Sequence, residues 1–117
     1  MIWSTLCIAA ALYGEARGES IDGQIAIADV IRNRVEDARY ADDACAVVFS
    51  GQFAPATEFR NPAALVTALG IAFSDATLGL TSTHFYSGDV EPYWAAGYAY
   101  DGAIGGHYFF TNEGDWK

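Results

Sequence analysis

The sequence predicts an α+β fold in which helices predominate and a small β-hairpin lies near the end of the chain. Up to about residue 75, apolar residues recur every three or four positions, which is typical of amphipathic helices. Beyond Gly79, residues 81–86 and 108–111 are rich in Thr and aromatic side chains, which favours strands. A length of 117 residues fits one domain, which we assign to residues 1–117.

The first helix is predicted over residues 3–16, with Gly18 as its stop because glycine readily takes the left-handed conformation that follows a helix. Four of its residues form one stripe at helical spacing: Trp3, Leu6, Ala10 and Tyr13. The apolar start resembles a signal peptide, but no Lys or Arg precedes it, and it is too short to span a bilayer. We therefore interpret it as part of the fold.

Two further helices follow. Ser20 or Asp22 can cap the second, and Asn61-Pro62 is a suitable start for the third, which ends near residues 74–75. Residues 45–49 form either a helical turn or a strand. A loop rich in Gly and Tyr, residues 87–106, separates the two predicted strands, and a loop of that length in a small domain is usually functional.

The composition excludes some classes of partner. The net charge of −9 repels phosphate backbones and anionic membrane surfaces. We expect a monomer with no nucleic-acid partner and no stable membrane association. Cys7 and Cys45 are the only cysteines, and spacing alone cannot show whether they pair. Because each lies in an apolar run, we favour two buried free thiols.

Glu15 is the candidate catalytic residue. It ends an apolar run and lies between Gly14 and Gly18. A carboxyl group at the edge of a core can hold a proton near neutral pH and act as a general acid. The plain alternative is an exposed carboxylate at a helix end. Glu19 offers either a second catalytic carboxylate or, as we prefer, an acid that complements the dipole of the second helix.

Nothing in the sequence selects a second catalytic carboxylate from Glu19, Asp89, Glu91 and Asp101. His84 and His107 lie on or beside the predicted strands and suggest zinc, but the chain has neither HExxH nor CxxC. We expect both histidines to be hydrogen-bonded structural residues, and we predict no metal and no cofactor.

Aromatic side chains surround the long loop. We expect Tyr86 and the Tyr93-Trp94 pair to line or support a sugar groove, because aromatic rings suit stacking on sugar rings. A Trp94 that only packs the loop in place is the alternative.

The stretch YGEARGESIDGQIAIADVIRNRV, residues 13–35, resembles the opening of the SleB/CwlJ-type cell-wall hydrolase family, which includes spore cortex-lytic enzymes. Its EARGE core, Gly-Gln pair and Asn-Arg-Val ending carry the resemblance. Further matches follow in order: Cys45-Ala46-Val47-Val48, Gln52-Phe53, Phe85-Tyr86, Pro92 with Trp94, and Ile104-Gly105-Gly106-His107.

The resemblance implies a lysozyme-like fold related to lytic transglycosylases, and peptidoglycan as the partner and substrate. It implies cleavage between N-acetylmuramic acid and N-acetylglucosamine with Glu15 as the acid/base. We assign substrate binding to Glu19, Gln52, Phe53, Tyr86, Tyr93, Trp94 and His107. A lytic transglycosylase is favoured over a lysozyme because no second carboxylate is evident.

Two other functions stay open at this point. One is a glycan-binding module without activity, and the other is a metal-dependent amidase that uses His84 and His107. For a wall-degrading enzyme we expect synthesis in the cytoplasm and action in the periplasm or outside the cell, by a route of export that the sequence does not indicate.

Overall fold

Four helices precede a three-stranded antiparallel sheet in the structure, a computed structural model that describes residues 2–16, 18–50 and 53–113. The helices are α1 (Ile2–Ala16), α2 (Ile21–Glu36), α3 (Ala44–Val48) and α4 (Pro62–Phe73). The strands are β1 (His84–Ser87), β2 (Ala99–Ile104) and β3 (His107–Thr111), with a 3-10 turn at Ala95–Gly97 before β2. The predicted α+β class, mostly helical, is confirmed.

The predicted helix starts are confirmed by their caps. The Ser20 hydroxyl accepts a hydrogen bond from the backbone N–H of Gly23 at 3.1 Å, and the Asn61 side chain accepts one from Ala64 at 3.1 Å. Both satisfy backbone donors that a helix leaves without partners at its start. The run at residues 45–49, for which the sequence allows a helical turn or a strand, lies in the short helix α3 up to Val48, and Phe49 is the C-cap of that helix.

The face that α1 buries includes only Tyr13 of the predicted stripe, which is 2% exposed. Trp3 is 68% exposed and Leu6 is 36% exposed, whereas Ile8 and Leu12 are buried. Because α1 is apolar on nearly every side, periodicity cannot select the face that meets the core. Neither α1 nor any other helix in the described ranges is long and apolar enough to cross a bilayer.

The prediction of one long loop over residues 87–106 is wrong, because this segment contains the strand β2. The hairpin is therefore part of a three-stranded sheet with the order β1-β3-β2. A bulge between Tyr100 and Gly102 interrupts the pairing of β2 with β3, and Gly102 has a φ of 126°. A glycine and a bulge remove the alternation by which a strand is recognised in a sequence.

The two faces of the sheet have different neighbours. Phe85 pairs with Phe109, and both contribute to the core formed with the helices. His84 pairs with Phe110 on the opposite face, where Phe110 packs with Tyr98 in a separate aromatic cluster. The sheet thus divides the aromatic residues of the second half into an inner and an outer set.

Polar side chains of α2 hold the irregular segment between α4 and β1. The contacts are direct hydrogen bonds to the backbone of that segment: Asp29 accepts from Leu78 at 2.8 Å, Arg32 donates to Ala76 at 2.8 Å, Asn33 donates to Leu80 at 2.8 Å, and Arg34 donates to Thr83 at 2.6 Å. Burial lowers the pKa of Arg34. The Asn-Arg pair of the motif therefore has a structural role here.

Cys7 and Cys45 form a disulfide with their Cα atoms 5.1 Å apart, so the favoured interpretation of two free thiols is wrong. The bond joins α1 to α3 across a separation of 38 residues. The apolar neighbours of both cysteines favoured buried thiols, whereas both residues are half-buried, and such neighbours are equally compatible with a thiol and with a disulfide. Disulfides persist mainly in oxidising compartments.

Candidate active site

Glu15 lies in the last turn of α1 with its side chain half-buried. Its Oε1 accepts a hydrogen bond from the backbone N–H of Ala54 at 2.5 Å. No other described residue donates a hydrogen bond to this carboxylate. One oxygen is thus anchored, which fixes the orientation of the carboxylate.

Gly14 allows the chain after Phe53 to lie directly on α1. A Cβ at Gly14 would overlap with the carbonyl oxygen of Ala54 and lie 2.8 Å from the backbone nitrogen of Ala56. That nitrogen donates a hydrogen bond to the carbonyl of Ala10 at 3.0 Å. The glycine before Glu15 is therefore required by the close approach of this segment, which brings the Ala54 N–H to the Glu15 carboxylate.

Glu19 follows the end of α1 and reaches the turn between β2 and β3. Its Oε1 accepts a hydrogen bond from the backbone N–H of Gly106 at 2.8 Å and lies 2.8 Å from Nδ1 of His107. The side chain of His107 is only 6% exposed, and that of Glu19 is 22% exposed. The structure therefore brings these two predicted site residues together as a pair.

Phe53 and Gln52 were assigned to substrate binding. Phe53 is 7% exposed and its ring lies 5.7 Å from that of Phe85, so nearly all of it belongs to the core. Gln52 lies outside the described residues. We expect Phe53 to support the backbone segment that carries Ala54 by packing against the core. A contact between Phe53 and a sugar stays a prediction.

Phe85 is a site residue that the sequence analysis missed. Its ring contacts Phe53 at 5.7 Å and His107 at 5.4 Å, measured between ring centroids. It thereby joins the segment beside Glu15 to the partner of Glu19. The alternation of β1 contained the signal, because Phe85 points to the face opposite Tyr86.

Two of the aromatic candidates, Tyr86 and Trp94, lie on the outer side of the sheet. Trp94 is half-buried, stacks on Tyr98 at 5.4 Å and meets Phe110 edge-on at 5.3 Å. Tyr86 is half-buried beside Phe110, with ring centroids 5.7 Å apart. Tyr93 is 89% exposed. Of the three, Tyr93 is the side chain most open to a ligand, while Trp94 is fixed by its neighbours.

The carboxylates considered beside Glu15 differ in their surroundings. Asp101 accepts hydrogen bonds from the hydroxyls of Ser82 at 2.5 Å and Thr111 at 2.6 Å. Asp89 and Glu91 are exposed, between β1 and the 3-10 turn. Glu19 and Asp101 thus have structural partners of their own.

His84 is buried against aromatic rings, and its Nδ1 lies 3.0 Å from the Thr83 hydroxyl. Burial, together with the charges of Arg34 and Arg39, lowers its pKa from 6.5 to about 4. Between these values the unfolded chain binds a proton that the folded chain does not, so the stability that is present above pH 6.5 is lost as the pH falls towards 4.

We therefore expect the free energy of unfolding to fall with decreasing pH over this window, by up to about 1.4 kcal/mol per pH unit more than in His84→Asn. Urea titrations of both proteins between pH 7 and 4 measure the difference. Other titrating groups are common to both proteins, so their contributions cancel in the difference between the two free energies of unfolding. Parallel profiles would show that His84 is not held neutral by the fold.

The fold closely matches two solved catalytic domains. The crystal structure of the catalytic domain of the Bacillus cereus SleB protein superposes with a TM-score of 0.71 and 25% identity, covering 95% of this chain and 91% of that one. The catalytic domain of the germination-specific lytic transglycosylase SleB from Bacillus anthracis gives 0.70 and 28%, with 92% and 93% covered.

The model of the cell wall hydrolase family matches residues 18–110, so the chain belongs to that family. The match begins just after Glu15. Spore cortex-lytic enzymes from Oceanobacillus iheyensis and Bacillus subtilis (strain 168) are 50% and 48% identical to this chain over 42 residues. Those segments are 36% of this chain but only 15% and 14% of the relatives. The family suggested by the EARGE motif is thus confirmed.

Proposed function

We propose that this chain cleaves the glycan strands of peptidoglycan between N-acetylmuramic acid and N-acetylglucosamine, with Glu15 as the catalytic acid and base. The observation that carries the proposal is the half-buried Glu15 carboxylate at the end of α1, with one oxygen held by the Ala54 N–H and no second donor among the described residues. Membership of the cell wall hydrolase family supports the substrate.

In the proposed reaction, protonated Glu15 donates its proton to the glycosidic oxygen as the bond to C1 of the muramic residue breaks. The resulting carboxylate then removes the proton of the C6 hydroxyl, and that oxygen bonds to C1. The product is a 1,6-anhydromuramic end, and Glu15 regains its proton. This sequence needs one carboxyl group and no water.

The lytic transglycosylase is favoured over a lysozyme on two grounds. A second catalytic carboxylate would have to be free to act on water or on C1. Of the four candidates, Glu19 and Asp101 are engaged with other protein groups, which leaves only the exposed Asp89 and Glu91. In addition, the SleB of Bacillus anthracis is described as a lytic transglycosylase. For the sugar contacts we propose Tyr93 with the edges of Tyr86 and Trp94.

The sheet geometry argues against the amidase alternative. His84 pairs with Phe110, and His107 is three residues before Phe110 on the same strand. Side chains three residues apart on a strand point to opposite faces. His84 accordingly packs beside Trp94 on the outer side and His107 beside Phe85 on the inner side. The two imidazoles therefore cannot share one zinc ion.

Mass spectrometry of peptidoglycan digested by the purified protein, with and without a chelator, tests the proposal. We expect fragments that end in anhydromuramic acid, lighter by one water than hydrolytic products, in equal amounts under both conditions. Reducing muramic ends would indicate a lysozyme. Released peptides with intact glycan, lost on chelation and restored by zinc, would indicate an amidase, and no products at all would indicate a binding module.

For the setting, we propose that residues 1–117 act as one catalytic domain after export to the wall. The Cys7–Cys45 disulfide supports an oxidising destination such as the periplasm or the cell exterior, because disulfides are rare in the cytosol.

A further inference from the structure

We propose that Glu19 is a positioning residue that fixes the turn between β2 and β3 to the end of α1. It thereby holds the Glu15 carboxylate in its position for the substrate. The inference rests on the proposed function, since it concerns the same site. It departs from the assignment of Glu19 as a substrate ligand and from a second catalytic carboxylate.

The turn is shaped around the Glu19 carboxylate. A Cβ at Gly106 would lie 2.7 Å from Glu19 Oε1, and one at Gly105 would lie 3.0 Å from Oε2. In both cases the three nearest atoms belong to the Glu19 side chain. The glycine pair therefore leaves the space that the carboxylate fills. Gly105 also has a φ of 60°, whereas Gly106 does not have a positive φ.

Glu19 is tied just as directly to the end of α1. Its backbone N–H donates a hydrogen bond to the carbonyl of Ala16 at 2.9 Å, one residue beyond Glu15. Its own carbonyl accepts a hydrogen bond from Nε2 of Gln24, a buried residue of α2, at 3.3 Å. The backbone of Glu19 is thus fixed to both helices while its side chain holds the turn.

These contacts complete a ring around the end of α1. Glu15 is bonded to the segment after Phe53, the Phe53 ring meets Phe85, Phe85 meets His107, and His107 meets Glu19. Because each contact involves a buried or half-buried group, a shift of the turn would be transmitted to the Glu15 carboxylate. Displacements of about 1 Å in an active site can lower the rate by roughly a hundredfold.

The chemistry at Oε1 separates positioning from proton transfer. The Gly106 N–H donates to this oxygen, and His107 Nδ1 lies 2.8 Å from the same atom. A glutamine side chain has an oxygen that can accept at the same place. It cannot act as a general acid or base. Glu19→Gln therefore keeps the positioning contacts and removes any acid function, whereas Glu19→Ala removes both.

The first experiment compares Glu19→Ala and Glu19→Gln with the unmodified protein on purified peptidoglycan, per folded molecule and well below the unfolding midpoint. We expect Glu19→Ala to lose roughly tenfold to a hundredfold in the rate at saturating substrate. We expect Glu19→Gln to retain the rate within about threefold. If both variants were equally inactive, Glu19 would be a catalytic carboxylate and not a positioning residue. A change confined to the substrate concentration that gives half the maximal rate would show that Glu19 is a substrate ligand instead.

A full rate in Glu19→Ala, with only a lower melting temperature, would reduce Glu19 to a stabilising role and also overturn the proposal. Should Glu19→Ala not fold, Gly106→Ala perturbs the same contact from the other side. Its added Cβ displaces the Glu19 carboxylate, and the backbone of Gly106 suits alanine. We expect Gly106→Ala, like Glu19→Ala, to lower the rate at saturating substrate.

A double-mutant cycle in melting temperature and rate completes the test. The three atoms nearest to the added Cβ all belong to Glu19, so we expect Gly106→Ala to cost little further in the Glu19→Ala background. Additive losses would contradict the contact. The melting temperatures of the cycle do not depend on the role of Glu15. If Glu15→Gln proved fully active, the proposed function would fail, but the cycle would still show whether Glu19 holds the turn.

Discussion

Replacing Glu15 by glutamine is expected to remove most of the lytic activity and to leave the fold intact. The amide oxygen of glutamine can still accept the hydrogen bond from Ala54, so the shape of the site is kept. The proton that the leaving glycosidic oxygen requires is lost, which lowers the rate roughly a hundredfold or more. Clearing of a cell-wall suspension measures the rate, and a thermal melt measures the fold.

Glu19→Gln is the matched control, because it makes the same chemical change four residues further along. We expect it to clear the suspension nearly as fast as the unmodified protein. Clearing by Glu15→Gln at the unmodified rate would remove Glu15 from the mechanism. A large drop in its melting temperature would instead show that the carboxylate serves the fold.

Loss of the disulfide is expected to produce the largest change in stability. Cys7 and Cys45 close a loop across 38 residues, and the chain-entropy model assigns a cross-link of this length roughly 4 kcal/mol. For the double variant Cys7→Ser/Cys45→Ser we expect a melting temperature lower by on the order of 10 °C. Activity at low temperature should persist, because the bond joins α1 to α3 far along the helix from Glu15.

A reducing agent provides the control for this prediction. It should lower the melting temperature of the unmodified protein to that of the double variant and should leave the double variant unchanged. Identical melts of the unmodified protein before and after complete reduction would mean that the bond adds no stability to the fold.

The sequence predicted best those features that depend on neighbours along the chain. Ser20 and Asn61 were recognised as helix caps because a cap bonds to a backbone N–H within three residues. The proposal of Glu15 also comes from features that are adjacent in sequence, the helix before it and the glycines beside it, and its catalytic role stays a prediction. The family followed from the same short stretch.

Features that depend on distant parts of the chain were missed. The strand β2 was hidden by Gly102 and its bulge, since its register is set by β3 rather than by its own composition. The contact of Glu19 with Gly106 spans 87 residues, and no local pattern indicates it. Strand alternation places Phe85 on the face opposite Tyr86, but its role required the fold because it joins segments that are far apart in sequence.

The bonds from α2 to the segment before β1 bear on how freely that segment can change in sequence. Asp29, Arg32 and Asn33 bind the main chain, which every amino acid provides, so the segment is recognised by its path and not by its side chains. Substitutions at exposed positions such as Asp75 should therefore be neutral, except that proline cannot replace Leu78, whose N–H is used. Among related chains, sequence identity should accordingly concentrate in the helix, and diversity in the segment it holds.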